Sequence, residues 1–444
     1  MTFSGQTFLI VGMGKTGIAT THFLARRQGK IIATDQKDIN QIVKDMHKTD
    51  ISLEVVPYGV ASLNHVDMVI PSPGVPPHDP ILVEAVKKGI PLCSELEMAC
   101  RFLKTPLIAI TGTNGKTTTT TLAGNILTAS GYKVFVGGNI GTPLIEYCDM
   151  DQEDDYAVVE VSSFQLQWIR DFHARGAALL NVTRDHVDYH GSFAAYQEAK
   201  KRVFLNQSRD DWAILNACYE PVIGRQLKSQ TLFFSSTGKM VTRGAFLRDG
   251  HIVLTGMYGG DEIYPVDMIK IPGRHNIENV MAAVLIGRMC HCPQERIVET
   301  VSQFRGVSHR IEFVKEKDGV TYYDDSKGTN VDAVIRALEA FDRPIILLMG
   351  GRDKDGDFEL LKPVIKERVK QLVLFGEARE KIKGKIGKLV ETGVQVTMVE
   401  AVLLAYKQAR RGDVVLLSPG CASFDEFTDY KNRGNVFQDL VRRM

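Results

Sequence analysis

The chain lacks an excess of either charge. Its 54 Lys and Arg residues stand against 53 Asp and Glu, a formal net charge of +1, so the balance draws it neither to nucleic acid nor to an anionic membrane. No apolar run reaches the ~20 residues that a membrane-spanning helix needs. The opening residues carry neither a basic segment nor a long apolar one. Cysteine is sparse: seven, an odd number, scattered from Cys93 to Cys421, which suits a reducing compartment and not a disulfide framework. Cys290-His291-Cys292 stands alone and reads as the end of a helix. The expectation is a cytoplasmic protein with no nucleic-acid partner and no membrane insertion. At 444 residues the length exceeds what one core serves, so two or three domains are expected.

What is present centres on Leu107 to Thr121. An apolar run, Leu107 to Ile110, reads as a buried parallel strand. It breaks into Gly112-Thr113-Asn114-Gly115-Lys116-Thr117-Thr118 and resumes as a threonine-rich helix. The glycines let backbone N–H groups converge on phosphate oxygens, and the helix N-terminus adds partial positive charge. Lys116 reaches outer phosphates in such a loop, and Thr117 supplies a hydroxyl to Mg²⁺. The common P-loop has four residues between its glycines; here Ile110 takes the first glycine position, leaving a shorter G-x-x-G-K-T. The loop points to a nucleotide phosphate without saying what the phosphate is used for.

Residues 1–94 open with a strand, Phe8 to Val11, then Gly12-Met-Gly14-Lys15-Thr16-Gly17, a helix to about Arg27, and a strand, Ile31 to Thr34, ending at Asp35. This is G-x-G-x-x-G in a βαβ setting with an acidic residue about 20 positions on. Read literally it takes NAD, with Asp35 on a ribose hydroxyl. A nucleotide-diphosphate sugar satisfies the same loop, since glycines at a helix N-terminus accept any diphosphate. Pro71-Ser72-Pro-Gly74-Val-Pro-Pro77 is a stiff turn after a strand, which either borders a ligand or merely ends that strand.

Residues 95–306 begin with a linking helix, Glu95 to Leu103, before the P-loop strand. Val134 to Gly141 is a strand ending in a glycine-rich turn at Asn139. Tyr156 to Ser163 is an apolar strand interrupted by Glu160, whose carboxylate is unfavourable in a parallel sheet unless it meets a cation, and Mg²⁺ beside a P-loop is such a cation. Ala177 to Val182 delivers Thr183-Arg-Asp185-His186 to the same sheet edge. In a helix from Ser192 to Leu205, Phe193, Tyr196, Val203 and Phe204 form the apolar face; Lys200 falls on it and Lys201 does not. A lysine buried there needs an anion or a chemical alteration, whereas one at the edge of the stripe snorkels. Shorter strands follow from Trp212, with a hairpin over Gly244 to Leu254. Asn276 and Asn279 share a face at the start of an alanine-rich helix, placed to meet a purine edge or, for Asn276, to cap the helix.

Residues 307–444 show four strand–helix alternations, a second doubly wound unit with ligands expected beyond the carboxyl ends of its strands. Those ends carry Asp324 to Asn330, Gly350 to Lys354 and Ser418 to Phe424. Phe424, Phe427 and Phe437 read as helix core.

Together these stretches resemble the Mur ligases, which build the peptide of bacterial cell-wall precursors. Thr111-Gly-Thr-Asn-Gly-Lys-Thr-Thr118 is similar to the loop of the whole ligase superfamily, folylpolyglutamate synthase included. Narrower marks are Gly137-Gly-Asn-Ile-Gly141, Val161 to Leu166, Asn181 to His186, Asp325 to Asn330 and Leu417 to Ser423. They look like the branch that adds D-glutamate to UDP-N-acetylmuramoyl-L-alanine. The resemblance implies an α/β chain of three domains: an N-terminal Rossmann-like one, a central P-loop mononucleotide-binding one and a C-terminal Rossmann-like one. It implies a monomer that uses ATP and two Mg²⁺ ions. Gly14, Lys15, Thr16, Asp35, Ser72 and Gly74 would hold the uridine nucleotide, with Asn139 and Ser162 near the muramoyl-alanine. Gly112 to Thr118, Asn276, Asn279, Arg310, Asp325 and Lys327 would hold ATP. Thr117 and Glu160 would bind one Mg²⁺, and His186 with a CO₂-derived carbamate on Lys200 the second. Thr329, Lys354, Ser423 and Phe424 would hold D-glutamate; Tyr430 stands where the family often has Phe.

The implied chemistry is carboxylate attack on the γ-phosphate, then attack of an amine on the acyl phosphate, with His186 or Asp185 as base and the third domain closing on binding. Rival readings are a sister ligase for another amino acid, a P-loop protein using NTP as a regulatory switch, and a dehydrogenase resting on Gly12 to Gly17 alone.

Overall fold

The computed structural model describes residues 2–36, 38, 40–47, 51–59, 63, 65–150, 152–219 and 227–444. Contacts divide it into two compact units: Met1–Tyr264 with Met281–Thr300, and Pro265–Val280 with Val301–Met444. Among the described residues no helix is long and apolar enough to cross a membrane.

The first unit holds two sheets. Strands β1 (Thr7–Val11), β2 (Lys30–Thr34), β3 (Glu54–Val55) and β4 (Met68–Pro71) form the first, in the order β3-β2-β1-β4 and all parallel. The second runs through β5 (Leu107–Thr111), β6 (Val134–Gly138), β7 (Tyr156–Glu160), β8 (Gly176–Leu179), β9 (Trp212–Asn216), β10 (Gln230–Ser235), β11 (Gly244–Arg248), β12 (His251–Tyr258) and β13 (Gly260–Pro265). Its order is β13-β12-β11-β10-β9-β8-β5-β7-β6. β5 lies between β7 and β8, both parallel to it, so every one of its residues is buried, as its unbroken apolar run requires. The expected hairpin is the antiparallel pair β11–β12. The two sheets share one core, in which Phe23 meets Phe102 edge-on at 5.0 Å and Arg27 lies 3.6 Å over the Phe23 ring.

In the second unit, β14 (Glu312–Lys317), β15 (Val320–Asp324), β16 (Ile345–Gly350), β17 (Val369–Phe375), β18 (Glu391–Val394) and β19 (Val414–Gly420) follow the order β14-β15-β19-β16-β17-β18. The four strands read from the sequence are its centre. The edge strands escape notice because they are polar and half-exposed: β14 pairs antiparallel to β15, and β18 lies outside β17.

Several expected boundaries move, each for a local reason. The linking helix stops at Cys100, where the N–H groups of Arg101 and Phe102 donate to the Met98 and Ala99 carbonyls and tighten the chain into a turn. β7 ends at Glu160 and not at Ser163. Ser162 instead caps a one-turn helix, Ser163–Leu166, in a reciprocal box with Gln165. β8 ends at Leu179, leaving Asn181 free to turn towards the P-loop. The helix read over Ser192 to Leu205 is α-helical only over Phe193–Lys201, capped by the Ser192 hydroxyl, and finishes as a 3₁₀ turn, Arg202–Phe204. Phe437 is core and Phe427 packs against it. Phe424 is not core: it sits in the turn before the helix Tyr430–Arg443, 61% exposed.

Candidate active site

The P-loop leaves β5 through Gly112, at φ +159°, and Gly115, at φ +85°. A Cβ on Gly112 would lie 3.1 Å from the Leu180 Cβ and 3.2 Å from the Asn114 carbonyl. The loop's shape is set by the segment after β8. Asn114 N–H donates to Asn181 Oδ1 at 2.9 Å, and Asn181 Nδ2 donates back to the Asn114 carbonyl at 3.0 Å. Thr183 N–H donates to Thr113 Oγ1 at 3.0 Å, and that hydroxyl lies 2.9 Å from the Tyr196 hydroxyl. The helix Lys116–Ala129 opens on Gly115 with no side-chain cap, so its first N–H groups face outward as an anion cradle. Lys116 folds back, donating to the carbonyls of Gly112 and Thr113 at 2.9 and 2.8 Å. Thr117 and Thr118 are buried on the first turn.

Glu160 stands at the tip of β7, in register with Ile110 of β5 and 2% exposed. Its Oε2 accepts from Thr117 Oγ1 at 2.7 Å, and its Oε1 from Asn139 Nδ2 at 2.8 Å. One carboxylate thus joins the P-loop to the glycine-rich turn after β6. Paired hard oxygens from Thr117 and Glu160 suit Mg²⁺.

Lys200 is buried, and Lys201 is only partly so. Its Nζ donates to the Gly112 carbonyl at 2.7 Å and lies 4.7 Å over the Tyr196 ring. Burial, then the neighbouring Lys116 ammonium, push its pKa well below the usual lysine range; Asp185 and Glu160 pull the other way. His186 occupies the left-handed region at φ +51°, an unusual setting for a non-glycine residue. Its Nε2 is 3.6 Å from Asp185 Oδ2, and its ring meets Phe164 edge-on at 4.7 Å. His190 was not singled out by sequence reading. It stands four residues on from His186, a helical spacing that could have flagged it, and its Nε2 lies 3.0 Å from Ser163 Oγ. Burial, then His186 and Lys200, lower it to about 4.

The first glycine motif is built on the same plan. The helix Lys15–Ala25 opens on Gly14, again without a side-chain cap. A Cβ on Gly17 would lie 2.1 Å from the Gly12 carbonyl, so helix and loop touch through bare backbone. Asp35 Oδ2 accepts from Met13 N–H at 2.6 Å, and Ser72 Oγ donates to the Gly12 carbonyl at 2.6 Å, which brings β2 and the proline-rich turn to the loop. Thr16 is half-buried on the first turn, and an added Cβ at Gly74 would meet nothing. Lys15 Nζ donates to the Gly141 carbonyl, linking this loop to the turn that carries Asn139. Ser162 is committed to its capping box.

In the second unit, Asn276 is the third residue of the helix Arg274–Met289 and therefore not its cap. Asn276 Nδ2 donates to the Pro272 carbonyl at 2.6 Å, and Asn279 Nδ2 to Asn276 Oδ1 at 2.9 Å. Asp325 is buried, accepting from Ser418 Oγ at 2.7 Å and Ile311 N–H at 3.3 Å. Arg310 acts on it electrostatically, while the Arg310 Nε is buried with no hydrogen-bond partner among the described residues, a donor suited to an anionic ligand. Lys327 Nζ lies 5.5 Å over the Tyr430 ring. Thr329 is half-buried, Lys354 exposed and Ser423 buried, each in a loop at the carboxyl end of a central strand. His309, Glu312 and Asp324 also converge, but Gln438 Nε2 donates to both carboxylates at 2.9 and 2.8 Å, so an amide already fills their centre.

Comparison with known proteins defines the class. Residues 6–94 match the Mur ligase MurD-like N-terminal domain, 110–287 the Mur ligase middle domain, and 309–421 the Mur ligase glutamate ligase domain. The chain belongs to the Mur ligase family, ATP-dependent ligases of three α/β domains. Among curated relatives it is similar to the UDP-N-acetylmuramoylalanine–D-glutamate ligase of Syntrophus aciditrophicus, 55% identical over all of this chain and 99% of that one. The enzyme of the same name from Koribacter versatilis is 44% identical with the same coverage. Solved structures share the fold. The UDP-N-acetylmuramate–alanine ligase of Thermotoga maritima matches with TM-score 0.60 at 17% identity over 99% of both chains. The MurF ligase of that organism, in complex with ADP, matches with TM-score 0.61 at 18% identity over 100% of this chain and 96% of its own.

Proposed function

We propose that this chain adds D-glutamate to the L-alanine carboxyl of UDP-N-acetylmuramoyl-L-alanine, converting ATP to ADP and phosphate, in bacterial peptidoglycan precursor synthesis. The observation that carries this is full-length identity of 55% to a relative bearing that activity in its name. The two uncapped glycine-opened helices support it, since each offers a phosphate cradle.

Gly14, Lys15, Thr16, Asp35, Ser72 and Gly74 hold the uridine diphosphate, and Asn139 and Ser162 flank the muramoyl-alanine. Gly112 to Thr118 hold the ATP phosphates, Asn276 and Asn279 its adenine, and Arg310, Asp325 and Lys327 its ribose and phosphates. The alanine carboxylate attacks the γ-phosphorus, the bond to the β-phosphate oxygen breaks, and Lys116 neutralises charge on the transferring group. Thr117 and Glu160 would hold one Mg²⁺, and His186 with a carbamylated Lys200 a second; the ions would supply neutralisation of charge on the phosphoryl oxygens. A neutral Lys200 amine adds to CO₂ with loss of a proton, and a lowered pKa provides that neutral amine. Thr329, Lys354, Ser423 and Phe424 hold D-glutamate, whose deprotonated amine attacks the acyl carbon and expels phosphate. His186 or Asp185 takes the amine proton. We place the domains at 1–94, 95–306 and 307–444, with the third closing on its ligands, in a cytoplasmic monomer.

Incubation with UDP-N-acetylmuramoyl-L-alanine, ATP and labelled D-glutamate tests the reading. Label should enter the nucleotide-linked product with one ADP released per bond. Absence of label there, or phosphate release indifferent to both co-substrates, refutes it.

A further inference from the structure

Arg433 is the largest fully buried side chain of the second unit, and no site assignment includes it. It sits on the first turn of the helix Tyr430–Arg443. None of the described carboxylates forms an ion pair with it; carbonyl and hydroxyl oxygens surround it instead. Nε donates to Ser326 Oγ at 3.0 Å, Nη2 to the carbonyls of Ser326 at 2.8 Å and Cys421 at 3.1 Å, and Nη1 to the Ala422 carbonyl at 3.3 Å. Asp425, Asp324 and Asp325 act on it only through space, and a buried guanidinium with no carboxylate in direct contact is a poor way to stabilise a core, so its value lies in what the rigid planar fork holds.

What it holds is the carboxyl edge of the sheet. Ser326 belongs to the loop after β15, which carries Asp325, Lys327 and Thr329. Cys421 and Ala422 belong to the loop after β19, which carries Ser423 and Phe424. The Ala422 carbonyl also accepts from Arg352 N–H at 2.9 Å, and Ala422 N–H donates to the Arg352 carbonyl at 2.9 Å, tying in the loop after β16 that carries Lys354. A Cβ on Gly351 would fall 2.3 Å from the Ala422 carbonyl and 3.1 Å from Arg433 Nη1, so this junction has no slack. Ser326 Oγ in turn donates to the Tyr430 carbonyl at 2.8 Å, closing the network on Arg433's own helix.

We infer that Arg433 is a positioning residue: its fork fixes the mutual spacing of the three loops that hold D-glutamate and the phosphate end of ATP. The inference rests on the proposed function for the identity of those ligands, and not for the geometry. Burial lowers the guanidinium to about 10, which leaves it charged and able to donate at neutral pH.

Arg433→Lys and Arg433→Met are measured beside the wild type. Arg433→Lys keeps a cation but reaches fewer of the four oxygens. It should raise the KM for D-glutamate by about tenfold or more while the KM for UDP-N-acetylmuramoyl-L-alanine stays within about twofold. Arg433→Met should be worse on the same axis, and in Arg433→Ala added methylguanidine should restore part of the loss. Amide hydrogen exchange should quicken at 324–330 and 421–424 in Arg433→Lys, and not in β16 or β17. Wild-type KM values and loop exchange in Arg433→Lys overturn the inference. So does an equal change in all three substrate KM values, or failure of every variant to fold, either of which makes Arg433 a general structural residue. If the wild type itself makes no product, the functional reading falls and hydrogen exchange alone decides this one.

Discussion

Asp325→Asn separates the fold's tolerance of a buried carboxyl from any role that group has in the reaction. Burial pushes Asp325 up to about 7 from 3.8, the Ser418 hydroxyl and the Arg310 guanidinium hold it down, Asp324 adds repulsion, and the Ile311 N–H opposes it. A carboxyl that binds its proton more tightly when folded contributes its full stability only below the unfolded pKa. That contribution is lost as the pH climbs towards the folded value. At ~1.4 kcal/mol per pH unit, the climb from 3.8 to about 7 withdraws roughly 4 kcal/mol, with nothing further above it. Asparagine imitates the protonated acid, because its Oδ1 can accept from Ile311 N–H while its Nδ2 donates to Ser418 Oγ. Urea unfolding from pH 4 to 8, with hydrogen exchange on β15 and β19 to localise the event, should find the two proteins equal near pH 4. The variant should be ahead by up to ~4 kcal/mol at pH 8. Parallel pH profiles would refute the reasoning.

Glu160→Gln should lower kcat/KM by about 100-fold or more with little change in stability, because the amide oxygen still accepts from Asn139 Nδ2 and its NH₂ can donate to Thr117 Oγ1 while the anionic oxygen is lost; a loss under about threefold would count against a metal role. Lys200→Ala should be inactive, with added acetate or propionate restoring part of the rate, and full activity without them removes the carbamate. Gly17→Ala sets a methyl 2.1 Å from a backbone oxygen, and should raise the KM for the nucleotide sugar about tenfold while sparing that for D-glutamate. An unchanged nucleotide KM would mean the loop does not meet the diphosphate.

The parts of the site readable from sequence were those in which local backbone need and chemistry coincide. Gly12, Gly112 and Gly115 hold positive φ, and a carboxylate in an apolar strand announced Glu160. Helical periodicity placed Lys200 on a buried face, but gave no hint that its partner is the Gly112 carbonyl, 88 residues away. The same holds for Asn181, which shapes the P-loop from 67 residues on, and for Arg433, which no motif or periodicity in the sequence singles out. Phe424 misled for the opposite reason: beside Phe427 and Phe437 it reads as helix core, yet it stands in the turn before the helix and faces solvent. Contacts closed by tertiary folding leave no periodic trace in the chain.

Gly14 and Gly115 begin their helices bare, whereas Asp79, Ser94, Ser192 and Asn330 each supply an oxygen to the helix they start. These two glycine-opened helices therefore begin a bond short. On the proposed function, nucleotide phosphate oxygens would complete in each a turn that the chain itself leaves open, so that binding and the last step of local folding would be one event.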